Sequence, residues 1–373
     1  MPADSGAAFV IIQHLAPAHK SMLAEILAQH TRMPVCEARE GMAVEENSVY
    51  VIPPNQYLGI RDGALYLAEP VTEHGIRLPI DFFFRSVAED RQERAICILF
   101  SGAGSDGTLG IRAVRGAGGL TIAQDATAQF ADMPRSAVAT GMVDLVLRPD
   151  QMPKAVTEYL RQPYIRGGEP PAVVQAEGAH DGVSAILDTV LAQTGSDFRC
   201  YKRSTILRRI NRRMGLHGIP DLPQYNRLLR QKADEIVQLH RDLLVNVTAF
   251  FRDAEAFDKL RHDAIAPLVR AKQTGEQARV WVPGCSSGEE AYSIAMLLRE
   301  ELETAQKHCD LQIFATDIDD EALQIARTGI YPESIVTDVG MDRLSRFFAR
   351  KDGGVSGHRI APRFGRFCGA ELN

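Results

Sequence analysis

Long apolar runs are missing from this chain of 373 residues: no stretch reaches the roughly 18 apolar residues that a membrane helix needs, and no signal segment opens it. Membrane insertion is thereby excluded and a cytoplasmic protein is predicted. Paired cysteines are missing as well. The six, at positions 36, 97, 200, 285, 309 and 368, show no C-x-x-C spacing and no regular framework, which argues for reduced thiols; no metal is expected. Positive charge is in deficit, 42 Lys and Arg against 48 Asp and Glu. The net charge of −6 excludes nucleic acid as the partner of the whole molecule and leaves room for a local basic patch. Internal repeats and low-complexity tracts are absent. Asn246-Val247-Thr248 fits a glycosylation sequon, a coincidence of letters without secretion. What remains is 45% apolar and 24% charged, ordinary for a globular protein, and long enough for two or three domains.

Two differently built regions flank a linker. From Ala7 to about Val146, AAFVIIQHL, SVYVIPP, RAICILFSG, GGLTIAQD and MVDLVL read as strands, several continuously apolar as buried parallel strands are. SMLAEILAQH and GTLGIRAVRGA between them have helical periodicity, so an α/β sheet with helices on its faces is predicted. Residues 161–180 lose periodicity and gain Gly and Pro, as a linker does. From about Asp181 to Phe257 the pattern is helical throughout; then ARVWVPG and DLQIFATD return as apolar strands, each followed by a helix.

The turn after ARVWVPG has little side-chain bulk. Gly284 and Gly288 bracket Cys285, Ser286 and Ser287, so a ligand can approach the backbone closely. Glu289 and Glu290 then open the helix, and carboxylates there would repel a phosphate. The ligand this favours carries positive charge or hydroxyls. Asp317 ends the next strand, as the ribose-binding acid of Rossmann-like sites does. Taken singly, Glu289 and Asp317 are better explained as acids favouring helix starts; both at strand ends with a small-residue turn between, they point equally to a nucleoside cofactor. Upstream, VNVTAFFRD (245–253) reads either as core phenylalanines with a cap from Asn246 or Thr248, or as a lid presenting amide, hydroxyl and guanidinium. In FRCYKRSTILRRINRRM (198–214), Ile206, Leu207, Ile210 and Met214 recur on one helical face and Arg208, Arg209, Arg212 and Arg213 on the other. No aromatics interleave with these arginines, which weakens a nucleic-acid reading.

NVTAFFRD, RVWVPGCSSGEEAYSIA and FATDIDDEALQIARTGIY, in this order, resemble the CheR-like chemotaxis-receptor methyltransferases over roughly residues 181–350. The resemblance implies S-adenosyl-L-methionine as cofactor and receptor glutamates as methyl acceptors. Asn246, Thr248 and Arg252 would contact the cofactor, Gly284 would lie at its turn, Glu289 would hold its amino group and Asp317 its ribose. Arg208, Arg209, Arg212 and Arg213 would meet acidic chemoreceptor helices. VIIQHLAPAHKS, YVIPPN, LFSGAGSDGTLGI and GGLTIAQD likewise resemble the CheB-like receptor methylesterases. That likeness implies His14 as catalytic base and Asp106 as the acid orienting it. No serine in a glycine-rich elbow precedes the histidine strand, so the nucleophile is expected to be absent. Ala103, where the family commonly has methionine, touches the expected oxyanion geometry.

The fold class expected is therefore α/β: a parallel-sheet methylesterase-type domain (1–160), a linker (161–180), a small all-helical domain (181–255) and the first part of a Rossmann-like methyltransferase domain (256–373). Truncation at both ends is expected, since RFGRFCGAELN does not resemble the family's closing strands. A sheet left with two strands, open edges and an uncovered apolar face is expected to aggregate or to unfold in part. A non-catalytic scaffold binding receptor helices is the alternative.

Overall fold

The computed structural model describes residues 1–14, 21–70, 77–162, 165, 177–244, 248–351, 354–357 and 364–369, with backbone alone for 177–181 and 364–369. The chain divides into two compact units, Met1–Val245 and Asn246–Asn373.

In the first unit, β1 (Phe9–Ile11), β2 (Val35–Glu37) and β4 (Val49–Val51) form a parallel sheet in the order β1-β4-β2. A second parallel sheet holds β7 (Ile96–Leu99), β8 (Leu120–Gln124) and β9 (Leu145–Leu147) in the order β7-β8-β9. All but β2 are the apolar runs expected as strands. Between them lies an antiparallel sheet that the sequence reading passed over: β3 (Met42–Ala43), β5 (Tyr57–Arg61) and β6 (Ala64–Ala68), in the order β3-β6-β5. Helices α1 (Leu23–Ala28), α2 (Pro79–Arg91), α3 (Thr108–Ala117), α4 (Asp132–Ala139) and α5 (Met152–Leu160) accompany the strands. Ile80, Phe83 and Phe84 of α2 share a core with Ile111 and Val114 of α3 and with Tyr50, Leu58, Leu65 and Leu99 of the sheets. Gly110 makes the α2–α3 contact possible, since a Cβ there would stand 2.4 Å from that of Phe84.

The same unit continues into four helices, α6 (Glu177–Thr194), α7 (Arg203–Leu216), α8 (Leu222–Gln231) and α9 (Ala233–Leu244). Asp221 caps α8 by accepting the Gln224 N–H at 2.8 Å, with Pro223 inside the first turn. Ile206, Ile210 and Met214, expected on one face of α7, are buried among Ile186, Val190, Tyr225 and Leu239.

The second unit opens with α10 (Ala254–Leu260), which runs through one π turn (Arg261–Ile265) into α11 (Ala266–Ala271). Then follow β10 (Gln277–Pro283), α12 (Glu289–Thr304), β11 (Asp310–Asp317) and α13 (Asp320–Thr328). A small antiparallel sheet of β12 (Ile330–Tyr331), β13 (Ala349–Lys351) and β14 (Gly354–Ser356) holds α14 (Val336–Val339) and α15 (Met341–Phe347) in its connection. The expectation of a two-stranded main sheet is corrected here. The tail that resembled nothing in the family supplies a third strand, β15 (Phe364–Gly369), parallel to β11, giving the order β10-β11-β15. One face of β10 is buried through Ala278 and Val282, while Trp281 on the other is 67% exposed. The expected linker, 161–180, lies largely outside the described residues.

Candidate active sites

His14 follows β1, and its Nε2 lies 3.0 Å from Asp106 Oδ2. The imidazole is about half exposed and the carboxylate is buried. Asp106 is held by three backbone donors: Ile80 N–H on Oδ2 at 3.0 Å, and Asp81 N–H and Gly107 N–H on Oδ1, each at 2.9 Å. Ile80 and Asp81 occupy the first turn of α2, whose own preceding residue, Leu78, offers no side-chain cap. A buried acid from the β7–α3 turn thus caps α2 and complements its dipole. Asp81 reciprocates by accepting the Gly110 N–H of α3 at 2.7 Å. Gly107 takes φ +86°, and a Cβ there would stand 2.7 Å from Leu99 Cδ1, so only glycine fits between acid and helix. Among the described residues no hydroxyl is hydrogen-bonded to the His14 ring.

The second site lies at the carboxyl ends of β10 and β11, which pair in parallel up to Pro283 and Thr316. Ser286, at φ +48°, donates its N–H to Asp317 Oδ2 at 2.6 Å; Asp317 Oδ1 accepts the Asp319 N–H at 2.9 Å. The Cys285 N–H reaches the Thr316 carbonyl at 3.0 Å, tying the turn to the end of β11. Burial, followed by the charge of Asp317, pushes the Cys285 thiol up to about 12, so it stays protonated at neutral pH and is no nucleophile. Glu289, at 1% exposure, accepts the Ser287 Oγ hydrogen bond on Oε2 at 2.7 Å. Gly288 takes φ +96°, and a Cβ there would stand 2.9 Å from both Ala326 Cβ and Tyr331 Oη. A Cβ on Gly284 would meet nothing within 4 Å, so the backbone there is open to approach.

Tyr331 belongs to the site without having been singled out in the sequence, and Phe250 is the core phenylalanine that one reading of VNVTAFFRD expected. Tyr331 donates to the Ser287 carbonyl at 2.7 Å, and its ring stands edge-on to Phe250 at 4.9 Å. The Phe251 N–H donates to Ser293 Oγ at 3.1 Å, one helical turn beyond Glu289, at φ +49° for an aromatic residue. Phe251 and Asp253, at φ +61°, carry backbone strain on either side of exposed Arg252, the kind of cost that a surrounding site sustains. Thr248, half-buried, lies on the same stretch; Asn246 falls outside the described residues.

Three family models match the chain in succession: the CheB methylesterase over residues 1–156, the all-alpha domain of the CheR methyltransferase over 181–244, and its S-adenosylmethionine-binding domain over 246–363. A CheB methylesterase region and the two regions of a CheR methyltransferase thus follow one another in one chain. An uncharacterised 104.1 kDa protein of Rhodobacter capsulatus is 38% identical over 351 residues, 89% of this chain and 37% of that one. A protein-glutamate methylesterase/protein-glutamine glutaminase of Burkholderia orbicola is 40% identical over 41% of this chain and 45% of its own length. A chemotaxis protein methyltransferase of Escherichia coli is 37% identical over 41% of this chain and 51% of its own. The chain thus spans about half or less of the length of these relatives. No described helix is long and apolar enough to cross a membrane.

The arginines of the CheR all-alpha region are not placed as a solvated face. Arg209, Arg212 and Arg213 are 3%, 0% and 8% exposed, and Arg208 is half-buried with its stem 3.5 Å from where a Cβ on Gly118 would stand. Arg213 pairs with Glu235 inside the helical region, where His217 and Tyr225 meet the same carboxylate, each at 2.7 Å. Arg209 and Arg212 turn towards the CheB region, at carbonyls of residues 115, 116 and 119 and at Asp144. The expectation of an exposed basic stripe is corrected accordingly: periodicity gave the face of α7 but not what covers it.

Proposed function

We propose that the chain serves bacterial chemosensory signalling, the CheR region transferring a methyl group from S-adenosylmethionine to glutamate side chains of receptor helices and the CheB region, with base and acid in place but no nucleophile beside them among the described residues, standing for the methylesterase side of the same cycle. The observation that carries this reading is the turn from Gly284 to Gly288, set between the carboxylates of Glu289 and Asp317 and free of Lys and Arg. Such a donor set suits an ammonium and a sugar diol and repels phosphate.

The fit extends to individual atoms. Each Asp317 oxygen accepts one backbone N–H and keeps a lone pair for a ribose hydroxyl. Glu289, oriented by Ser287, would hold the amino group, and open Gly284 would let the ligand lie against the backbone. When bound, S-adenosylmethionine supplies a sulfonium-activated methyl group. A substrate glutamate is already ionised at neutral pH, so the residues need only align the two partners and exclude water. In the CheB region, His14 would act as base and buried Asp106 would fix its ring.

Isothermal titration of the full chain with S-adenosylhomocysteine tests the carrying observation. Saturable binding is expected, weakened about tenfold or more in Asp317→Ala, which removes the diol's acceptors. Absence of binding, or an unchanged affinity in the variant, would overturn the reading. For the CheB region, no hydroxyl among the described residues stands against the His14 ring, so release of labelled methyl from a methylated receptor peptide is expected to be no faster than in His14→Ala.

A further inference from the structure

A closed ring of four buried charges lies in the first unit, and both family regions contribute to it. Arg115, in the last turn of α3, and Asp144, just before β9, belong to the CheB region; Arg212 of α7 and Asp242 of α9 belong to the CheR all-alpha region. Arg115 Nη1 donates to Asp144 Oδ1 at 2.5 Å and its Nη2 to Asp242 Oδ1. Arg212 Nη1 donates to Asp242 Oδ2 at 2.7 Å and its Nη2 to Asp144 Oδ2. Each guanidinium therefore bridges both carboxylates. Side-chain exposure is 11% for Arg115 and at most 1% for the other three.

Further contacts cross the same boundary. Arg209 donates to the carbonyls of Arg115 at 3.0 Å and Gly116 at 2.6 Å, and Arg212 Nε donates to that of Gly119 at 3.2 Å. The end of α3 carries carbonyls short of intrahelical donors and the negative pole of the helix; the Arg209 guanidinium answers both needs, and Arg212 reaches the carbonyl just beyond the helix. Leu216, at the end of α7, packs on the cluster of Leu120, Ile122, Met152 and Val156.

We infer that the arginine face of α7 is an intramolecular docking surface whose partner is the α3 C-terminus and Asp144 of the CheB region, so that the two regions fold as one cooperative unit. The inference is independent of the proposed catalysis. Each region brings one arginine and one aspartate to the ring, so neither carries net charge into it; Arg209 adds a third guanidinium, met by carbonyls. Docking closes the ring around Asp144, which its own region already holds through the Thr121 N–H and Oγ, each at 2.9 Å. Removing one member would leave a buried charge uncompensated, which is why such a ring specifies its partner even where its net stabilisation is small. A carboxylate-bearing helix from another protein cannot reach Arg209 or Arg212 while the CheB region occupies them.

Hydrogen exchange of the full chain, read peptide by peptide, tests this. Arg212→Met lies in the helical region, yet it is expected to speed exchange in β8, β9 and the last turn of α3 by about tenfold. Asp144→Asn should do the same in α7 and α9, and the double variant should fall short of the product of the two effects. Effects confined to the region carrying the substitution, or effects that multiply, would overturn the inference. Should Arg212→Met fail to fold, Arg115→Lys, which keeps the charge and loses the fork, is read in α7 and α9, where unchanged exchange would equally overturn it.

Discussion

Gly288 and Gly284 separate two demands that one turn makes on its residues. Both have positive φ, +96° and +67°, but only at Gly288 would a Cβ strike neighbours, Ala326 and Tyr331. Gly288→Ala is expected to displace the Tyr331 hydroxyl from the Ser287 carbonyl and to weaken S-adenosylhomocysteine binding about tenfold or more. Gly284→Ala should bring backbone strain of about 1 kcal/mol and a smaller loss; titration calorimetry on the two variants checks the order. Asp106→Ala would strip three buried N–H groups of their acceptor. Denaturant unfolding should show a loss of about 3 kcal/mol, whatever happens at His14. The sequence pointed to Asp106 as partner of His14 and to Glu289 and Asp317 as a pair at strand ends. It gave no sign that Asp106 caps α2, because donors and acceptor lie 25 residues apart or more and no local pattern links them.

Helix α9 carries the clearest pH dependence through Glu235. Burial opposes its ionised form, but hydrogen bonds from His217 and Arg213, with Tyr225 behind them, hold it at about 2, below the usual 4.5. Asp242 on the same helix is likewise held at about 2, below 3.8, where burial is outweighed by Arg212 and Arg115. Both folded values are depressed, so their stabilisation is complete above the unfolded values and drains away as pH falls from about 4.5 towards 2. Urea midpoints of the helical ellipticity should fall steeply across that window, and Glu235→Gln should flatten the fall while lowering stability at neutral pH by up to about 3–5 kcal/mol. At this scale the strands and amphipathic helices were legible because their periods show in sequence. The β5–β6 hairpin was not read, although Asp62-Gly63, at φ +50° and +78°, is a strong two-residue turn signal. Strand β15 was missed for a different reason: a six-residue run with Gly and Arg shows no apolar pattern, and only its pairing with β11 makes it a strand.

The sequence read as three successive regions, whereas contacts group the first two into one unit. What joins them, pairs separated by 68 and 127 residues, leaves no mark on composition or periodicity. The second unit holds the chain's single tryptophan, Trp281, which is 67% exposed with its Nε1 on Thr316 Oγ1 at 3.1 Å. Native emission should accordingly be that of a solvated indole, and its change on heating reports the second unit alone, while far-ultraviolet ellipticity reports both. A ligand bound only by the folded second unit and present at a hundred times its dissociation constant adds about 2.7 kcal/mol. For a unit of this size that raises the midpoint by on the order of 10 °C. S-adenosylhomocysteine should therefore move the fluorescence transition and leave in place a component of the ellipticity transition contributed by α6 to α9. A fluorescence midpoint that stays put at saturating ligand would remove the cofactor from the turn at Gly284. A second unit that melts without a transition would show instead that β15 does not secure a sheet whose other face still presents Trp281 to water.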